Sequence, residues 1–178
     1  MTITSNPIIS SITTVWHGGV VSIGRMSGSE IIDSPTGFVA EHIKTYVESN
    51  GAEGHIWRGV PTLLLTTLGR RSGVGRRTAL IYGRDGDDYV IVASKGGSAT
   101  HPLWYENLVK DPEVTVQVGA EIFTCTATTY GEDTENLAHR QKIWDEMVTI
   151  WPDFANYQVK TDRRIPLVKL TRKTNSQN

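Results

Sequence analysis

Cysteine is nearly absent from this chain, long apolar runs are missing altogether, and neither sign of charge prevails. One cysteine among 178 residues leaves no internal disulfide to form, which fits a reducing compartment, so the cytoplasm is the expected location. That residue, Cys125, lies in the alternating run Ile122-Phe123-Thr124-Cys125-Thr126, where it reads as a buried strand thiol rather than a nucleophile. No apolar run approaches the roughly 18 residues of a transmembrane helix, and the start lacks a signal-peptide pattern. With a net charge of -1, attraction for an anion has to come from local clustering, and a generic nucleic-acid coat is disfavoured. Also missing are His-x-x-x-His and Cys-x-x-Cys metal spacings, a Walker-type phosphate loop, a Gly-x-Ser-x-Gly elbow and a complete Gly-x-Gly-x-x-Gly, so no metal ligand is assigned. Hydrolysis by a recognisable triad is thereby disfavoured, and a bound redox coenzyme fits better.

What is present suits one domain with a real core, 38% hydrophobic and 21% charged. Residues 1–33 mix Ile, Val and Trp16 with many Ser, Thr and Gly; they read as a flexible arm, with a surface-anchoring segment or lid as the sharper alternative. Residues 34–178 form the expected domain. Ser34-Pro35-Thr36 offers a helix start, Phe38, Val39, His42, Ile43, Tyr46 and Val47 recur at helical spacing, and Asn50-Gly51 stops it. His42 sits beside that stripe and reads as a half-buried helix histidine.

From Pro61 onward short apolar runs alternate with turn residues. Strands are expected at Thr62–Leu68, Arg77–Arg84, Tyr89–Ser94, Val114–Val118, Glu121–Tyr130 and Ile165–Thr171. Asp85-Gly86-Asp87 and Gly119-Ala120 are hairpin turns, because Asp and Gly tolerate the positive φ that such turns need. Helices are expected at Pro102–Lys110 and Asp133–Ile150. The result is an α+β, mainly β chain: about six antiparallel strands in a barrel with flanking helices.

Three segments carry the chemistry. Gly69-Arg70-Arg71-Ser72-Gly73-Val74-Gly75-Arg76-Arg77 packs four guanidinium groups around three glycines, and their mutual repulsion favours an anion site over a solvated turn. Ala93-Ser94-Lys95-Gly96-Gly97 runs from a strand through a glycine loop toward a helix, so Lys95 is placed to add charge to the same anion. Trp104 and Tyr105, which follow, either line an aromatic pocket or belong to the core. His101, directly before Pro102, reads as a structural hydrogen-bonding histidine. Trp151, Phe154 and Tyr157 would share one face if their segment is helical, walling a substrate cavity, and Thr161-Asp162-Arg163 looks like a polar clamp onto the barrel.

The runs Leu64-Leu65-Thr66-Thr67-Leu68-Gly69-Arg70-Arg71-Ser72-Gly73, Ala93-Ser94-Lys95-Gly96-Gly97, His101-Pro102-Leu103-Trp104-Tyr105-Glu106-Asn107-Leu108 and Thr161-Asp162-Arg163-Arg164-Ile165-Pro166 resemble the deazaflavin-dependent nitroreductase family in order and spacing, from about Phe38 to Leu170. The resemblance implies a split β-barrel like that of flavin-binding reductases, with coenzyme F-420 as hydride donor. By it, Arg70, Arg71, Arg76 and Lys95 hold the coenzyme's phosphate and oligoglutamate tail, and Arg77, in place of a commonly smaller residue, extends that site. Ser72, Gly73, Thr78, Ala93, Gly96 and Gly97 complete the implied coenzyme contacts, with Ser94 near the deazaflavin ring and Leu103 and Trp104 where the ring enters its groove. Trp104, Trp151, Phe154 and Tyr157 are the implied substrate contacts. The last three occupy positions that are typically tyrosines; Phe154 carries no hydroxyl, which leaves Tyr157 and Ser94 as the catalytic donors. The expected acceptor is a conjugated small molecule, with an activated C=C bond or a quinone favoured over a bulky nitro compound. The alternatives are a non-catalytic deazaflavin, flavin or haem carrier and a flavin mononucleotide oxidoreductase. No nucleic-acid partner is expected.

Overall fold

The computed structural model describes residues 30–131 and 136–174. Strands β1 (Ile31–Asp33), β2 (Ile56–Trp57), β3 (Val60–Leu68), β4 (Gly75–Asp85), β5 (Asp88–Val92), β6 (Glu113–Val118), β7 (Glu121–Thr129) and β8 (Leu167–Arg172) form a single sheet. Helices α1 (Gly37–Glu48), α2 (Leu103–Lys110), α3 (Leu137–Ile150) and α4 (Asp153–Val159) lie between them, with a one-turn 3-10 segment at Lys95–Gly97. The order β4-β5-β8-β7-β6-β3 closes on itself through a β3–β4 pairing, and every one of those six ladders is antiparallel. The barrel expected from the strand pattern is therefore present, closed, with β1 and β2 added outside it.

Period-two alternation decides which side chains fill it. Leu63 and Leu65 point into the barrel with Ile91, Val114, Val116, Cys125, Val168 and Leu170, whereas Leu64 between them packs outward on Ile43 and Tyr46 of α1. Val90, Val92 and Leu167 face out as well, under Ile143 and Met147 of α3 and Phe154 of α4. Helix α3 lies so close to β4 that a Cβ added to Gly83 would come within 2.5 Å of the Met147 sulfur.

Several boundaries move from those the sequence pattern suggests. β4 begins at Gly75, so Arg76 and Arg77 belong to a strand and the loop proper is 69–74, closed by hydrogen bonds from Gly69 N to Val74 O (2.8 Å) and from Gly73 N to Gly69 O (2.7 Å). β5 ends at Val92, which releases Ser94 into the turn that follows. The end of the supposed arm, Ile31–Asp33, is a strand, pairing parallel with Gly75–Arg77. Residues 1–29 of that arm, and the start of the third helix at Asp133, lie outside the described residues.

Candidate functional site

Two cavities open on the same stretch of β4. One, of about 640 Å³, is lined by Arg70, Arg71, Ser72, Arg76, Arg77, Thr78 and Lys95 together with Leu103, Trp104 and residues 32–36. The other, of about 330 Å³, begins one residue further along at Ala79, Leu80 and Ile81, and its wall includes Phe38, His42, Trp57, Ser94, Trp151, Phe154 and Tyr157. The turn at 94–96 divides them, with Lys95 in the first and Ser94 and Gly96 in the second. A basic cleft and an aromatic one thus share a strand and a turn.

The arginines are not equivalent. Arg70 is half-buried and fixed: its Nη1 and backbone N donate to Asn107 Oδ1 (3.2 Å each), and its Nη2 pairs with Glu106. Asn107 is buried and in turn donates to Thr67 Oγ1 (3.1 Å), so Arg70 ties the loop to α2. Arg77 grips Asp33 in a two-point pair, Nε to Oδ1 at 2.6 Å and Nη2 to Oδ2 at 3.0 Å. Among the described residues Arg71 and Arg76 meet no carboxylate, and both side chains are exposed. Lys95 Nζ bonds to Thr100 Oγ1 (2.8 Å) and to the His101 carbonyl (3.4 Å), again without an opposing charge. Among the described residues the cleft therefore keeps three cations uncompensated, whereas Arg70 and Arg77 also hold internal carboxylates, Glu106 and Asp33, from segments the local sequence does not reveal.

The dividing turn owes its shape to Arg163. Its guanidinium donates to the carbonyls of Ser98 (2.7 Å), Ala93 (3.2 Å) and Ser94 (2.6 Å), with His101 Nδ1 at 3.4 Å. Held so, Lys95, Gly96 and Gly97 all take positive φ, at 48°, 63° and 83°. Gly97 is required twice over, since a Cβ there would also sit 2.5 Å from the Tyr157 carbonyl of α4. Burial and the Arg163 charge hold the His101 imidazole below the ordinary histidine value, with Glu106 opposing. His101 thus packs against Arg163 at the turn it precedes.

In the aromatic cavity Phe154 is 5% exposed and meets Tyr157 edge-on at 6.3 Å, so it serves core and wall together. Trp151 packs against Trp57 (5.7 Å), and Trp57 against Phe38 (6.3 Å) and His42 (6.1 Å). Helix α4 does put Phe154 and Tyr157 on one face, with Trp151 just before its start. Trp104 is the exception among the implied substrate contacts: it lines the basic cleft beside Leu103, while Tyr105 reaches Thr129 Oγ1 (3.2 Å) and packs on the barrel core. Ala93 is fully buried and Gly97 is buried against α4, so both shape the turn from behind. Phe38, His42 and Trp57 line the cavity although none was assigned to a site. Phe38 and His42 read as helix stripe, and Trp57 stands in a two-residue strand with no pattern to mark it.

The class defined by this barrel with paired basic and aromatic clefts is that of the split-barrel reductases. The sequence matches the profile of the family described as "F420H(2)-dependent quinone reductase" over residues 38–172, and the chain belongs to that family. An F420H(2)-dependent quinone reductase of Mycobacterium tuberculosis is 41% identical over 133 residues, covering 74% of this chain and 88% of the relative. A second, putative F420H(2)-dependent quinone reductase of that organism is 34% identical over 111 residues, covering 62% of this chain and 89% of the relative. Among solved structures, one titled as an F420-H2 dependent reductase superposes with a TM-score of 0.55 at 38% identity, over 65% of this chain and 97% of that one. Another, titled a domain-swapped dimer, gives a TM-score of 0.57 at 35% identity, over 77% of this chain and 99% of that one.

Proposed function

We propose that this protein reduces a quinone with the hydride of reduced coenzyme F-420, and that its two cavities divide the work. The observation that carries the reading is the basic cleft, where Arg71, Arg76 and Lys95 meet no carboxylate among the described residues, next to an aromatic cavity reached along the same strand. Three free cations suit a ligand bearing a phosphate and several carboxylates. Arg70 and Arg77, already paired, hold the walls in place, and Thr78 and Ser72 add hydroxyls. When bound, the reduced coenzyme supplies the hydride. The chain's own part is binding, orientation and exclusion of water. Trp151, Phe154 and Trp57 offer flat apolar walls to a planar acceptor, while the hydroxyls of Ser94 and Tyr157 are the donors available to polarise its oxygen.

Fluorescence titration with F-420 tests the reading, with flavin mononucleotide and haem as competitors. Arg71→Ala and Arg76→Ala are expected to weaken F-420 binding by about tenfold each, a loss of one charge-assisted contact, without changing thermal stability. Arg70→Ala is expected to lower stability as well, because Asn107 and Glu106 lose their partner. Unchanged affinity in both exposed variants, or preference for flavin mononucleotide or haem, would reject the assignment.

A further inference from the structure

The reduction of a quinone consumes a proton with every hydride, and the aromatic cavity holds two side chains that titrate: Tyr157 and His42. Of the two, an imidazole is the side chain most often used as a general acid. The hydrogen bonds around His42 fix which of its nitrogens is available. Nε2 lies 2.8 Å from the Gly54 carbonyl and 3.3 Å from Thr62 Oγ1. A carbonyl accepts only, and the Thr62 hydroxyl spends its hydrogen on that same Gly54 carbonyl at 2.6 Å. Both neighbours of Nε2 are therefore acceptors, so Nε2 carries a hydrogen in every protonation state and Nδ1 is the atom that gains and loses the exchangeable proton.

Nδ1 has no hydrogen-bond partner among the described residues. Because no described side-chain nitrogen is both buried and unpartnered, Nδ1 of this half-buried residue is reachable by solvent. The ring is held in orientation by Tyr46 (6.2 Å, 18° between planes) and by Trp57 (6.1 Å). The groups around it are few: Tyr46 on its own helix, whose phenol meets His55 Nδ1 at 3.1 Å, Arg58 stacked over the far partner Trp57 at 4.7 Å, and Tyr157 elsewhere on the cavity wall. None of the cavity's lining residues is a carboxylate, a lysine or an arginine.

We infer that His42 is the proton donor for quinone reduction, acting through Nδ1. The inference rests on the quinone-reductase reading above. The acceptor takes a hydride as the donor C–H bond of the reduced coenzyme breaks, and its developing oxyanion takes the proton as the Nδ1–H bond of the imidazolium breaks. Hydride and proton together convert the quinone to the neutral hydroquinone, the coenzyme leaves oxidised with its ring-nitrogen proton passing to solvent, and the imidazole recovers its proton from solvent. Ser94 and Tyr157 polarise the oxygen by hydrogen bonding and keep their own protons.

His42→Gln separates the two roles of the ring, since its amide nitrogen can still donate to the Gly54 carbonyl while nothing replaces Nδ1. Steady-state rates with reduced F-420 are measured for duroquinone, whose hydroquinone anion is a strong base, and for chloranil, whose anion is a weak one. Loss of general-acid catalysis is worth about 100-fold or more. The expected result is a fall of about 100-fold in kcat for duroquinone, a fall of less than about fivefold for chloranil, and unchanged F-420 affinity by titration. The pH profile of the duroquinone rate should lose a limb in H42Q that the wild type shows. In His42→Ala, added imidazole should restore part of the duroquinone rate, which keeps the test open if H42Q folds poorly. Equal losses for the two quinones, retained duroquinone turnover, or no rescue would overturn the assignment of His42. A wild-type protein that binds F-420 and turns over neither quinone would overturn the reductase reading itself, and the proton donor with it.

Discussion

At the scale of single residues, Arg163 has the largest structural consequence. One guanidinium satisfies three carbonyls of the 93–98 segment, two of them on the buried residues Ala93 and Ser94. Lysine carries the charge but not the planar fork, so Arg163→Lys should recover little of what Arg163→Ala loses. With each charge-assisted bond worth about 1.5–3 kcal/mol, a loss on the order of 3 kcal/mol in either variant is expected from urea unfolding. His101 supplies an independent readout. Its folded-state value is depressed, so its neutral form is favoured in the fold; the associated stability is present above the unfolded histidine value and is lost as pH falls below it. NMR titration should find that value raised in Arg163→Ala, since the guanidinium is one of its two depressing causes. Cys125 makes the opposite kind of statement. Burial pushes its thiol up to about 12, and the side chain is fully enclosed in the barrel. A thiol reagent such as Ellman's should leave native protein unmodified and react stoichiometrically in urea; labelling of the native state would contradict the packing. The strand thiol and the Arg163 clamp were both legible locally, one from alternation and one from a polar triplet. The split of the arginines into paired and free was not: Glu106 stands 36 positions from Arg70, and Asp33 44 positions from Arg77.

Among the elements, the 94–97 turn and α4 behave as one unit. The turn's three positive φ values and the close approach of Gly97 to the Tyr157 carbonyl place Ser94 beside Tyr157 on the cavity wall. Gly97→Ala meets backbone rather than a flexible side chain and requires an unfavourable φ, so it should cost roughly 2–4 kcal/mol. Because the displaced helix carries the aromatic wall, quinone KM should rise in the same variant while the salt-sensitive part of coenzyme binding is retained; urea unfolding and steady-state kinetics read the two. Hairpins at Gly86 and Gly119 were legible because two-residue turns have their own chemistry. β1, β2 and α4 were harder, being three, two and seven residues long, too short for a period to declare itself.

For the whole molecule, charge is almost balanced and yet locally uneven. A net charge of -1 coexists with a cleft holding five cationic side chains, two of them internally paired. Anion binding should therefore depend on the cleft and weaken with salt: raising ionic strength from 50 to 500 mM is expected to weaken F-420 affinity by about tenfold, measured by titration, with a shallower slope in Arg76→Ala. Salt-independent binding would place the coenzyme elsewhere. Among the described residues no helix is long and apolar enough to cross a membrane.

By itself the sequence determined the barrel and the chemical character of its loops. Alternating apolar residues must bury one face, glycine turns must reverse the chain, and four clustered arginines repel one another and favour a nearby anion. Only the tertiary structure decided which arginines meet carboxylates among the described residues, which aromatics share a cavity, and that His42 lines that cavity with its Nε2 tied to the Gly54 carbonyl. Those outcomes depend on residues far apart in the chain meeting across β4, and such meetings arise from barrel closure rather than from any local run of residues.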